Sequence, residues 1–150
     1  MTRVAEAMPN MLLHEGEWEG IYRHVDLDGG LIDQHRMTTI CEFPTAGEFA
    51  YIQHNHLRWG DGREQRYRFG GVFRDGLLHW DTERFSGYAW ETREGVVMLK
   101  LDRRDDPGVS FIEMITLGAD GQTRARTWQW FRHGTPFKRT LCDEWRAGSR

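Results

Sequence analysis

Gly16-Glu17-Trp18-Glu19-Gly20 opens a strand near the start of the chain, and its reading decides the fold. Side chains two apart on a strand share a face, so Trp18 is grouped with Gly16 and Gly20. On the first strand of a small chain that reads as strands to its end, this pattern points to a closed barrel around a cavity. A small-molecule pocket is then the expected site.

Working outward, Asp28-Gly29-Gly30 is a hairpin signal, and Asp75-Gly76 and Asp120-Gly121 are two more. Pro44 to Gly47, Gly60-Asp61-Gly62, Glu94-Gly95 and Gly134 to Pro136 supply further turn chemistry. The strands predicted between them cover 18–25, 31–43, 49–59, 65–73, 77–81, 85–92, 96–101, 109–117, 123–132 and 137–146. Such a series suits an all-β, antiparallel up-and-down barrel of about 8–10 strands, which closes to remove its edges. The whole chain, 1–150, reads as one domain. In residues 1–15, Val4, Met8, Met11 and Leu12 recur at mixed three–four spacing around Pro9. A short helix or turn is expected there, lying across one mouth of the barrel as a lid.

Composition sets the function classes. A net charge of −3 gives no general attraction to nucleic acid or to an anionic membrane. Arg63, Arg66 and Arg68 with Tyr67 have acidic neighbours and read as a solvated strand edge. No apolar run approaches the roughly 20 residues that span a bilayer. The N-terminus has no apolar signal core, so the expected compartment is the cytoplasm, with Cys41 and Cys142 as free thiols.

Strand parity then sorts the side chains. Trp18, Gly20, Tyr22 and His24 are expected inside, as are Tyr51, Gln53, Asn55, Leu57 and Trp59. Arg124, Arg126, Trp128 and Trp130 share one face of the ninth strand, and Tyr88 and Trp90 one face of the sixth. On the last strand the grouping is Phe137, Arg139, Leu141, Asp143 and Trp145. These faces mix large aromatics with Arg, His, Tyr and Asn. An unpaired buried polar group costs about 1–3 kcal/mol, so a plain packed core would avoid the mixture and a ligand cavity would use it.

The GEWEG stretch with Tyr22, Asp28-Gly29 and Leu31-Ile32 resembles the opening of the lipocalin-like calycin superfamily. More narrowly, it resembles a bacterial domain family of unassigned function, often cyanobacterial and related to phycobiliprotein lyases. Phe69-Gly70-Gly71-Val72-Phe73, Asp75-Gly76 and the closing Arg139-Thr140-Leu141 with Glu144 and Arg146 fit the same pattern. The resemblance implies a barrel of eight to ten strands with a ligand cavity. It also implies that Trp18 plugs the closed end and stacks on an arginine of the last strand, Arg139 or Arg146. It implies no reaction, since the superfamily holds carriers, chromophore lyases, haem proteins and isomerases or cyclases. The two cysteines match no bilin-attachment pattern.

The expected function is binding of a small aromatic or largely apolar molecule carrying an acidic or carbonyl group. Tyr51, Tyr88, Trp90, Trp128 and Trp130 would form its walls. Arg126, Arg139, Asn55 and His24 would fix its polar end, arginine by its two parallel donors. Trp128 and Trp130 beside Arg126 are alternatively a core pair next to a solvated arginine.

The enzyme alternative is a cofactor-free isomerase, cyclase or lyase. His24 or Glu113 would move a proton while Tyr22 or Arg126 stabilises an oxyanion. Glu113, flanked by Phe111, Ile112, Met114 and Ile115, is alternatively a glutamate pointing to solvent. A second alternative is a haem barrel with His133 as axial ligand. His54 and His56 lack a third ligand of matching parity and read as surface histidines, so no metal or other cofactor is expected. A homodimer is compatible with the sequence.

Overall fold

The computed structural model describes residues 3–149. A short helix α1 (Val4–Ala7) and a 3-10 turn (Met11–His14) precede ten strands. These are β1 (Gly16–Val25), β2 (Leu31–Glu42), β3 (Tyr51–Arg58), β4 (Glu64–Arg74) and β5 (Leu77–Asp81). They continue as β6 (Phe85–Glu91), β7 (Val97–Arg103), β8 (Val109–Leu117), β9 (Thr123–Arg132) and β10 (Thr135–Arg146). Every strand pairs antiparallel with its chain neighbours, and β1 pairs β10 to close the barrel. All ten strands match the sequence reading, with ends moved by a few residues. No helix among the described residues is long and apolar enough to cross a membrane.

The GEWEG stretch explains the closed end. Gly16 takes φ +118°, and a Cβ there would lie 2.9 Å from Arg146 Nη1. Gly20 faces Glu144 across the β1–β10 ladder, and a Cβ on it would fall 2.6 Å from Glu144 Cγ. Both positions therefore need glycine, one for backbone conformation and one for the Glu144 side-chain stem that occupies its space. Trp18 between them is fully buried. Its indole N–H donates to the His14 carbonyl at 2.9 Å, and Arg124 and Arg146 lie 4.6 and 4.0 Å from its ring. Of the two arginines expected to stack on Trp18, Arg146 does so.

The N-terminal segment belongs to this plugged end. Val4, Met8 and Met11 are buried in the same core cluster as Trp18. Glu91 accepts from the backbone N–H groups of Asn10 and Met11 and from the Asn10 side chain. Arg146 donates to the carbonyls of Leu13 and Glu15. The expected lid is thus a sealed cap at the Trp18 end, away from the mouth where β1 finishes. Cys41 and Cys142 are free and buried.

Along the last strand the sequence grouping fails. The ladder between β9 and β10 shifts by one residue between Pro136 and Lys138. The inward residues are Lys138, Thr140, Cys142 and Glu144, while Leu141 and Asp143 are exposed. The aromatic ends, Phe137 and Trp145, suggested the opposite parity. Phe137 sits at the irregularity, and Trp145 is only half-buried, with Arg36 near its ring.

Candidate functional site

Beyond the plug the barrel holds a cavity of about 300 Å³. Its inward residues come from nearly every strand, because alternation delivers one side chain per two residues to the lumen. Phe111 stacks on Trp128 with centroids 4.7 Å apart, and Trp130 lies 4.6 Å from Phe111, making one aromatic wall. Trp80, Phe69 and Phe85 form an edge-to-face cluster opposite. The indole N–H groups of Trp80 and Trp128 are buried without hydrogen-bond partners among the described residues.

The floor is a charged network. Arg126 donates from Nε to Glu113 Oε2 at 2.5 Å and from Nη1 to the Tyr22 hydroxyl at 2.6 Å. All three side chains line the cavity and all are buried. Glu113 therefore points inward, on the same face of β8 as Val109, Phe111 and Ile115. Burial pushes its carboxyl above the usual range, and the Arg126 guanidinium pulls it back. Burial also raises the Tyr22 phenol well above its ordinary value, so it stays protonated. A polar chain reaches the cavity along β3: Tyr51 donates to Gln53 at 2.6 Å and Gln53 to Asn55 at 2.8 Å.

The mouth is cationic. Lys138 lies 4.4 Å over the Trp130 ring, while Arg84 lies 3.6 Å over Tyr67. Arg103 pairs with Asp105 at 2.6 Å and Arg84 with the same carboxylate at 3.8 Å. Among the described residues Lys138 has no carboxylate within 4.0 Å, so it is the mouth cation available to a ligand. Burial, then the charges of Arg103 and Arg132, lower its pKa. His24 is held by Thr140 at 2.7 Å, and Thr140 also accepts from the Trp130 indole at 2.8 Å. Burial, with Lys138 nearby, drops the His24 pKa to about 4, so the ring is neutral at neutral pH.

The expected site residues divide accordingly. Tyr22, His24, Asn55, Glu113, Arg126, Trp128 and Trp130 are brought together around the cavity. Tyr51 is inside but sits behind Gln53 in the packed end, against Cys41 and Trp80. Tyr88, Trp90 and Arg139 are corrections. On β6 the buried positions are Phe85 and Ala89, which turns Tyr88 and Trp90 outward, where they pack on each other at 5.6 Å. Arg139 lies on the outer parity of β10 and does not line the cavity.

His133 is also displaced from its expected place. With Gly134 it forms the two-residue β9–β10 turn, with φ values of 47° and 81°, and its exposed ring rests on Gly108. It supplies no ligand to the cavity. His54 and His56 pair with Glu42 and Glu64 on the outer face.

The sequence reading missed His35, Trp80, Arg84, Arg103, Phe111 and Lys138. Phe111 carried a usable signal, since it shares strand parity with Glu113, whereas Lys138 fell on the face of the last strand opposite the one read as inward. Arg84 lies in the β5–β6 connection, which parity does not govern.

No protein-family model matches the chain, and no curated protein matches it. Solved structures do. The S-type phycobiliprotein lyase CpeS of Guillardia theta superposes with a TM-score of 0.72 at 15% identity, over 99% of this chain and 95% of that one. A DUF3598-family protein of unknown function from Nostoc punctiforme superposes at 0.66 and 16% identity over 91% of this chain. The chain spans about half, 49%, of that second protein. The protein is thus a closed ten-stranded calycin-like barrel, sharing its fold with a phycobiliprotein lyase and a DUF3598 protein.

Proposed function

We propose that this barrel binds one flat, largely aromatic small molecule carrying a carboxylate or carbonyl group. The observation that carries the reading is the cavity itself, with its aromatic walls and the mouth cation Lys138 over the Trp130 ring. Such walls suit a flat aromatic body, and the ammonium suits a ligand carboxylate or carbonyl. Arg126 is not the free anion clamp expected from sequence, because Glu113 already neutralises it. Lys138 takes that role, with the Arg126 network shaping the floor. The likeness to a protein named as a phycobiliprotein lyase supports a bilin-type chromophore as the ligand class.

The test is native mass spectrometry of freshly purified protein, followed by titration with biliverdin and with anilinonaphthalene sulfonate. The expected result is one-to-one binding that weakens at least about tenfold in Lys138→Ala and in Trp128→Ala. Unchanged affinity in both variants overturns the assignment. An acid–base role would rest on His24, because the Glu113 carboxylate is engaged by Arg126. A bound ligand recovered chemically unchanged after prolonged incubation speaks for binding alone.

A further inference from the structure

We infer that His24, His35 and Asp33 form a binding site for one divalent transition-metal ion of the zinc class, at the mouth of the barrel. One nitrogen from each histidine and one Asp33 carboxylate oxygen lie within 4.8 Å of one another. His35 Nδ1 is 3.7 Å from Asp33 Oδ2. The register makes this cluster: His24 lies opposite Asp33 across the β1–β2 ladder, and His35 is two residues on, opposite Tyr22. All three share the inward parity.

The second observation is a buried ligand atom short of a hydrogen bond. The His35 side chain is only 5% exposed, and among the described residues its Nδ1 has no hydrogen-bond partner, facing Asp33 Oδ2 from 3.7 Å. A buried ring nitrogen left so is unfavourable, and a bound metal ion would offset it. The donors are also held as metal ligands usually are, by neighbours that orient them. His35 stacks on Tyr22 with centroids 5.2 Å apart and packs on Trp59 at 4.9 Å. The Trp59 indole donates to Asp33 Oδ2 at 3.0 Å, and Thr140 engages His24 Nδ1 at 2.7 Å.

Two imidazoles and one carboxylate suit zinc or a neighbouring first-row ion, and disfavour the oxygen-preferring Ca²⁺ and Mg²⁺. Bond lengths of about 2.0–2.2 Å would draw the three atoms inward by roughly an ångström. Three protein ligands leave a position open, and His24 and His35 both line the cavity. With Lys138 close by, an anionic donor is favoured there. Metal binding by this cluster does not depend on the ligand reading above, and its test uses metal alone.

Chelator-treated, dialysed protein is titrated with Zn²⁺ by calorimetry and with Co²⁺ by visible absorption. One equivalent should bind, at least about tenfold more weakly in His24→Gln and in Asp33→Asn. Asp33 is partly exposed, so its variant should stay folded, which circular dichroism checks. Co²⁺ should quench Trp59 fluorescence in the parent, and Trp59→Phe should lose that part of the quench while still binding metal. The doubly substituted His54→Gln, His56→Gln protein should bind as the parent does. Absence of stoichiometric binding to the parent, or undiminished affinity in both His24→Gln and Asp33→Asn, overturns the site.

Discussion

Arg124 and Arg126 stand two residues apart on one face of β9, each buried and each paired with a glutamate. Arg124 meets Glu144 through Nε at 2.7 Å and through Nη2 at 3.2 Å, with Trp18 against its guanidinium and His14 beside it. This pair is buried against the plug. Arg126 meets Glu113 and Tyr22 and borders the cavity. The same chemistry thus serves closure at one level and lines a cavity at the next. The difference lies in what adjoins the pair, packed tryptophan or open space.

That contrast is most exposed to test by removing one arginine at a time. Arg124→Met leaves the Glu144 carboxylate buried and bare, and should cost about 3–5 kcal/mol in chemical denaturation. Arg126→Met should cost less, about 1–3 kcal/mol, because water admitted through the cavity can solvate Glu113. It should also disturb binding of anilinonaphthalene sulfonate, which Arg124→Met should affect only through stability. Equal stability losses would show that the two levels are equally sealed.

A histidine marks each level, and pH separates them. Burial, then the charge of Arg124, holds His14 down to about 3, while burial holds His24 down to about 4. Both lie below the ordinary value of about 6.5. The unfolded chain therefore binds more protons than the folded one as pH falls through about 6.5. Stability should be full above that pH and decline below it, by up to about 1.4 kcal/mol per pH unit for each histidine. The His24 share should end near pH 4 and the His14 share near pH 3. Denaturation midpoints across this range check it, and His24→Gln should remove the His24 share alone, because burial also holds the neighbouring His35 below its ordinary value.

The smallest effect is expected from Tyr22→Phe. It deletes the hydroxyl that accepts from Arg126 and leaves the ring stacked on His35. A loss of about 0.5–1.5 kcal/mol is expected in denaturation, with Glu113 still holding the guanidinium. A much larger loss would mean that Tyr22, not Glu113, anchors Arg126.

Much of the site was legible before the fold was known. Asp-Gly and Gly-Gly turns divided the chain into its ten strands, and parity put Tyr22, His24, Asn55, Arg126, Trp128 and Trp130 on the lumen side. The misreadings have one physical source. Tyr88, Trp90, Phe137 and Trp145 are large and aromatic, and hydrophobicity of that kind reads as a sign of the interior. A closed barrel also has an outer face where aromatics pack on one another and on arginines, so residue type alone does not settle which face is in.

Local chemistry determined what is local: where the chain turns, which residues share a strand face, and why Gly16 and Gly20 bracket a buried tryptophan. Only the closed sheet decided which faces meet. The contact of Arg126 with Glu113 and Tyr22 joins three strands, and the His24, Asp33 and His35 cluster depends on a cross-strand register. The irregularity at the start of β10, which turned Lys138 inward and Arg139 outward, was likewise decided there. Such contacts arise from closure and ladder register, which couple residues more than a hundred positions apart and leave no mark in any one stretch of sequence.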